Sequence, residues 1–172
     1  MPIPVCVWSA AQCALSIFTW HNETLNIHTH LLPALYFSTS AAAAAAELLL
    51  PSVSAPHGTI SSAAADIART PQQQITQWSS LLFLVAGSVV HANSATYHCF
   101  GARSATTARH LLRFDLGGIG FFMLACMFNG VLVGFSCVPL LQQCYLAIMC
   151  CIGGAALLAP FIGELSHGGW HD

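Results

Sequence analysis

The feature that most constrains this chain is a stretch without a single charged side chain, which runs from Leu116 to Gly163. One membrane-spanning helix needs about 20 apolar residues, so the stretch is too long for one span and about right for two joined by a short turn. A second stretch without charge lies between Arg69 and Arg103. Because lengths of chain such as these cannot hold a hydration shell, the sequence predicts an integral membrane protein.

The composition agrees with this prediction and excludes other classes. Charged residues make up 6% of the 172 positions and hydrophobic residues 56%, whereas a soluble domain carries about 25% charged residues. The formal net charge is −2, and all basic residues are arginines, so no basic patch for nucleic acid is expected. The eight cysteines include no CxxC pair, which argues against a zinc ribbon or a disulfide framework and favours a role in apolar packing.

We therefore predict an all-α fold, a polytopic transmembrane helix bundle of about four helices in one membrane domain. The predicted order is an N-terminal interfacial segment (1–30), a first span (31–50), a non-cytoplasmic loop (51–75), a second span (76–100), a cytoplasmic loop (101–114), a third span (115–137), a fourth span (144–163) and a tail (164–172). The break between the last two spans is predicted near Pro139 and the two glutamines that follow it. The sequence also contains glycines that would let these helices approach closely, namely Gly117, Gly118, Gly120, Gly130, Gly134, Gly153 and Gly154.

The orientation is predicted from the positions of the arginines. Arg103, Arg109 and Arg113 all fall between the second and third spans. By the positive-inside rule that connection is cytoplasmic, which places the N-terminus in the cytoplasm as well.

Histidines at membrane depth are the first candidates for chemistry. His91, Ser94 and His98 are spaced three and four apart, which puts them on one face of a helix. Asp115 follows at the start of the third span. Imidazole nitrogen and carboxylate oxygen suit zinc, and ionisable groups inside a membrane usually mark functional sites. The alternative is that His98 only bonds a backbone carbonyl and helps the helices to pack.

Two further histidines lie at the end of the chain. His167 and His171 are four residues apart and could share a metal ion if a helix continues to that point. After four spans they would lie on the same side of the membrane as His98. The alternative is that they are inert, because Gly168 and Gly169 weaken any helix there.

The string from Trp20 to His30 reads WHNETLNIHTH and precedes the first span. Glu23, Thr24 and Asn26 within it are suited to cap the start of a helix. The string resembles a motif of the progestin and adipoQ receptor family, which includes the hemolysin III proteins and the adiponectin receptors. His28 stands where the family has an aromatic residue.

Two more motifs carry the resemblance. The residues from Ser94 to His98 are similar to the family's Ser-x-x-x-His on the second helix. Asp115-Leu116-Gly117-Gly118-Ile119 is similar to its Asp-aromatic-x-Gly-Ile motif at the third. The resemblance extends from Trp20 to Gly163 and covers four of the family's seven helices, so we expect a partial version of a seven-helix fold, truncated after the fourth helix.

The resemblance implies a zinc ion near the cytoplasmic ends of the helices. It assigns His98 as a metal ligand, Asp115 as a catalytic group that acts on the zinc through water, and Ser94 as a catalytic hydroxyl nearby. His167 and His171 copy the spacing of the two family ligands on the seventh helix, so they are candidate metal ligands in a site that this chain leaves incomplete.

The resemblance also implies receptor signalling, lipid and zinc homeostasis and, in some members, a ceramidase-like hydrolysis of lipid amides. We therefore expect a receptor-like membrane protein with a zinc site that hydrolyses lipid amides. The alternatives are a non-catalytic signalling or pore-forming membrane protein and an inactive truncated fragment. The expected partners are membrane lipids, a lipid or protein agonist of unknown identity and a second copy in a homo-oligomer.

Overall fold

Five α-helices make up most of the part of the chain that the computed structural model describes, residues 8–49 and 70–162. The helices are α1 (Ala10–Ser16), α2 (Thr24–Leu49), α3 (Pro71–Phe100), α4 (Ala105–Gly134) and α5 (Pro139–Ile162), with a 3-10 turn at Gly101–Arg103. Those two ranges contain no strand. In length and composition α2, α3, α4 and α5 all qualify as membrane spans. The predicted all-α bundle with about four spans is confirmed.

Side-chain caps set the starts of three helices. The Ser9 hydroxyl accepts from the Gln12 N–H at the start of α1, and the Thr70 hydroxyl accepts from the Gln73 N–H at the start of α3. Ser104 does the same for the Thr107 N–H at α4. Each of these bonds satisfies a backbone donor that has no partner within the helix.

The spans begin earlier than the hydrophobicity predicts. α2 begins at Thr24 rather than at residue 31, so the last part of the predicted interfacial segment (1–30) is helical. The polar side chains in this part bond the carbonyls of their own helix and are thereby satisfied: the His28 Nδ1–H donates to the Thr24 carbonyl at 2.8 Å, and the Thr29 hydroxyl donates to the Leu25 carbonyl at 2.7 Å. A helix can therefore extend beyond its apolar part.

Most of the range 101–114, predicted as a cytoplasmic loop, is helical in the structure. Only the 3-10 turn and Ser104 connect α3 to α4, and Arg109 and Arg113 lie on α4 itself. Residues 71–75 of the other predicted loop form the start of α3, and Pro139 begins α5 instead of forming part of the break. Proline is compatible with a first helical turn, where its missing N–H costs nothing. Residues 50–69 and the tail at 164–172 lie outside the described residues.

Each spanning helix packs mainly against its neighbours in the chain, with α3 between α2 and α4 and with α5 against α4. Midway along the bundle, the rings of Phe37, Phe83 and Phe122 join α2, α3 and α4, with centroids 5.4 to 6.2 Å apart. Towards the far end the Ser79 hydroxyl donates to the Asn129 side chain at 2.9 Å. These contacts hold three helices along their length.

Glycines allow some of these helices to approach closely, but not all the predicted glycines do so. A Cβ atom added at Gly118 of α4 would lie 3.2 Å from the Val90 Cα atom on α3. Gly120 faces the backbone of Leu157 on α5 in the same way, at 3.5 Å. By contrast, an added Cβ atom at Gly130 would meet no described atom within 4 Å. The same holds for Gly134 and Gly154.

This difference generates a matched pair of substitutions on α4. We expect Gly118→Leu to destabilise the bundle by about 1–3 kcal/mol, because the added side chain must displace the backbone of α3. Gly130→Leu adds the same side chain and the same helix propensity where the described residues leave space, so it should have little effect. Thermal unfolding of both variants in detergent micelles measures the difference, and equal transition temperatures would contradict the packing described here.

Candidate functional site

His98, near the end of α3, is hydrogen-bonded to the carboxylate of Glu23, which directly precedes α2. The His98 Nδ1 and Glu23 Oε2 atoms are 2.9 Å apart. A carboxylate only accepts, so Nδ1 carries the hydrogen and the lone pair of the neutral ring is on Nε2. A histidine held in this way by a carboxylate is typical of metal ligands, because the outer bond fixes both the tautomer and the ring orientation.

Glu23 is held as a carboxylate by several groups. The Asn26 side-chain amide donates to Oε2 at 2.9 Å, and the Asn22 amide donates to Oε1 at 3.2 Å. The pKa of Glu23 is lowered chiefly by the hydrogen bond from Asn26, followed by the hydrogen bond and charge of His98, and desolvation opposes this shift. The folded protein therefore favours the charged form of Glu23.

A tight turn built from side-chain bonds places Glu23. The His21 Nδ1 atom accepts from the Glu23 backbone N–H at 3.2 Å, so Nε2 carries the hydrogen and donates to the Ser16 carbonyl at 3.1 Å. The Thr24 hydroxyl accepts from the His21 N–H at 2.7 Å and donates to the Thr19 carbonyl at 3.0 Å. Glu23 thus acts mainly as the partner of His98 rather than as the helix cap that its position in the sequence suggests.

A second histidine pair lies deeper between α2 and α3. The Nδ1 atoms of His30 and His91 are 3.2 Å apart. The His30 ring also stacks on His98, with centroids 5.9 Å apart and planes inclined by 16°. Phe37 covers the other side of His91 with a stacked ring at 5.7 Å. His91 and His98, on the predicted polar face of α3, therefore both contact His30 of α2.

Ser94 and Asp115 are both buried, with 4% and 9% of their surface exposed. The Asn93 side-chain amide donates to the Phe114 carbonyl at 2.9 Å, so the residues that follow them in sequence, Ser94 on α3 and Asp115 on α4, lie at about the same level of the bundle. Both polar side chains therefore lie inside the bundle, at a similar depth.

A cleft of about 400 Å³ opens at this end of the bundle. Its wall combines residues from the turn before α2, the end of α3 and the start of α4, among them His21, Glu23, Asn26, Tyr97, His98 and Ala108. Just beneath it Cys13, Ile27 and Cys99 form a small buried cluster, in which the Cys99 thiol donates to the Cys13 carbonyl at 3.2 Å. Through that cluster α1 closes one side of the cleft.

The described residues supply only part of a metal site. Within residues 8–49 and 70–162, no three side chains of histidine, cysteine, aspartate and glutamate are grouped closely enough to hold a metal ion. His98 fits the role of one ligand, because its Nδ1 is engaged and its ring lines the cleft. The other two predicted ligands, His167 and His171, lie outside the described residues.

The prediction from sequence missed the two partners on the α2 side, Glu23 and His30. The signal was the density of polar residues directly before an apolar span, which capping alone does not require. What could not be read from the chain was that Glu23 meets a side chain 75 positions away.

The lowered pKa of Glu23 predicts a pH dependence. The stabilising contribution of Glu23 is fully present above its usual pKa of 4.5 and is lost as the pH falls through the lowered value. We expect Glu23→Gln to unfold at a lower temperature than the wild type at neutral pH, and this difference to shrink in acid. Thermal unfolding in detergent with a chelator present measures it.

Glu47→Gln is the control for that experiment, because it removes an exposed carboxylate from α2. It should follow the wild type across the pH range. A gap between wild type and Glu23→Gln that stays constant down to acid pH would contradict the assignment.

Comparisons with known proteins agree with the motifs. A family model described as "Haemolysin-III related" matches residues 18–167. Heptahelical transmembrane protein 3 of Arabidopsis thaliana is 26% identical over 179 residues, which cover 94% of this chain and 52% of the relative. Progestin and adipoQ receptor family member 3 of Homo sapiens is 30% identical over 154 residues, which cover 89% and 42%. The chain thus spans about half the length, or less, of these relatives, and it belongs to the haemolysin-III-related family that includes the progestin and adipoQ receptors.

Proposed function

We propose that this protein is a receptor-like membrane protein that binds zinc through His98 and hydrolyses a lipid amide in a ceramidase-like reaction. The observation that carries the proposal is the hydrogen bond between His98 Nδ1 and Glu23, which leaves the Nε2 lone pair available in a polar cleft. His167 and His171 are the proposed further ligands. Lipid and zinc homeostasis is the proposed context of this activity.

Each residue of the site has a proposed role in amide hydrolysis. A bound zinc ion would supply a water molecule that is acidic enough to attack near neutral pH. Asp115 would accept a proton from that water and pass it to the amide nitrogen, so that the amine leaves when the C–N bond breaks. The Ser94 hydroxyl donates a hydrogen bond to the carbonyl oxygen of the amide, where negative charge develops. Glu23 holds the ring of His98 in one orientation.

An apolar groove supports a lipid as the substrate. It measures about 630 Å³ and lies between α4 and α5, with a wall that includes Met123, Met127, Ile148 and Ile152. The groove begins at Gly120, which is about 7.5 Å further along α4 than Asp115 at 1.5 Å per residue. An acyl chain in this groove would leave its amide head close to the level of Asp115.

The alternative function is non-catalytic signalling or pore formation. One observation favours it: Glu23–His98 and His30–His91 both connect α2 to α3, so the histidines would also be explained by helix packing alone.

Zinc content and turnover together separate the two functions. We expect the purified wild-type chain in detergent micelles to hold about one zinc ion and His98→Ala to lose it, because one of three imidazole ligands is removed. Metal analysis measures the zinc, and release of fatty acid from a ceramide measures turnover. His110→Ala removes an exposed histidine of α4 and should retain both properties.

Asp115→Asn distinguishes chemistry from binding. It should keep the zinc ion but reduce turnover by about 10²- to 10⁴-fold, the usual contribution of a positioned base. A folded wild-type protein without stoichiometric zinc would contradict the enzyme and favour the non-catalytic function.

We further propose that the cleft end of the bundle, and with it the N-terminus, faces the cytoplasm. Arg103 and Arg109 lie at the same end as His98, on the turn after α3 and the first turns of α4, and basic residues are retained on the cytoplasmic side.

Glycosylation tests this orientation without a reporter fusion. The wild type carries an Asn22-Glu23-Thr24 acceptor before α2, and His57→Asn creates a second acceptor with Gly58 and Thr59 in the predicted outer loop. In eukaryotic microsomes we expect no glycan on the wild type and one on His57→Asn. A glycan on Asn22 would reverse the orientation.

A further inference from the structure

Three imidazole rings form a continuous row between α2 and α3. His98 lies at the cleft, the face of His30 stacks on it, and the edge of His30 meets His91. His91 is two helical turns from His98, about 10.5 Å deeper in the bundle at 1.5 Å per residue. Phe37 closes the row at its apolar end. The row therefore connects the cleft to the interior of the bundle.

The contact between His30 and His91 restricts both rings. Their Nδ1 atoms face each other at 3.2 Å, so one must donate a hydrogen and the other must accept it. Both rings are partly buried between the helices, and breaking the bond between them would leave two polar atoms without this partner. The hydrogen bond thus holds the His30 ring at one rotation, with its face against His98.

We infer that His30 and His91 are positioning residues for His98. Glu23 fixes one edge of the His98 ring through Nδ1, and His30 fixes its face, so that Nε2 points in one direction only. His91 acts through His30, because its hydrogen bond sets the rotation of that ring. The inference rests on the proposed function where it concerns zinc, since Nε2 is the proposed ligand atom.

Two substitutions at His91 separate the hydrogen bond from the bulk of the ring. In His91→Asn the side-chain amide occupies nearly the position of Nδ1 and can keep the bond to His30, although the ring is lost. In His91→Phe the ring keeps its stack on Phe37, but the nitrogen is lost. We expect the zinc dissociation constant to rise about tenfold in His91→Phe, the usual effect of removing an outer partner of a metal ligand, and to change little in His91→Asn.

A measurement without metal keeps the inference independent of the proposed function. In chelator-treated protein with ¹⁵N-labelled histidine, NMR detects the hydrogen on Nδ1 of His98 and its rate of exchange with water. We expect slow exchange in the wild type and His91→Asn, and exchange about tenfold faster in His91→Phe, because a loosened ring breaks its bond to Glu23 more often. Glu23→Gln serves as the reference for a weakened bond.

The possible outcomes are distinct. Equal exchange rates in the wild type and both His91 variants would overturn the inference, even if the protein binds zinc. A faster rate in His91→Phe alone, in a protein that binds no zinc, would sustain the inference and reject the proposed function.

If His91→Phe does not fold, two substitutions of His30 on α2 provide the same comparison. His30→Phe keeps an aromatic ring against His98, so the hydrogen on the His98 Nδ1 atom should exchange more slowly in His30→Phe than in His30→Ala. Equal exchange rates in these two variants would overturn the inference.

Discussion

Two hydrogen-bonded pairs cross the contact between α2 and α3, and the rest of the site depends on them. In a membrane an imidazole or a carboxylate without a partner is costly, so these groups must meet. Glu23 and His30 are two turns apart, and so are His98 and His91 in the opposite chain direction. Both pairs form only when the helices are antiparallel in one register, and a shift of one residue would break both.

That register explains why the polar cleft lies at the end of the bundle. It brings the turn that carries Glu23 level with the last turn of α3, where α1 packs through Cys13 and Cys99. The hydrogen bond between Asn93 and the Phe114 carbonyl then brings α4 to the same level. The buried side chains of Ser94 and Asp115 are therefore placed by contacts between helices rather than by any local motif.

The physical basis of the sequence predictions explains which of them hold. The four spans follow from the cost of placing charge in lipid, so they can be read from single stretches such as Leu116 to Gly163. The ends of the helices cannot be read in this way, because α2 continues through polar residues such as His28 and Thr29, whose side chains bond the carbonyls of their own helix. The inward face of α3 follows from the spacing of His91 and His98, but their partners depend on how two helices cross. The same holds for the glycines of α4: Gly118 lies against α3 and Gly130 does not, although the sequence predicts a close helix contact at both.

The polar groups between α2 and α3 lie in two different environments, one at the cleft and one deeper in the bundle. Glu23 lies before α2 at the cleft, where the Asn26 amide lowers its pKa and keeps it ionised at neutral pH. Since an ionised Glu23 accepts from Nδ1, that hydrogen bond fixes the orientation of the His98 ring, and in the neutral form of the ring the lone pair is on Nε2. Some 10 Å deeper, His30 and His91 satisfy each other without any carboxylate. The ionised group of the contact between α2 and α3 therefore lies at the cleft, and the deeper imidazoles are satisfied by each other.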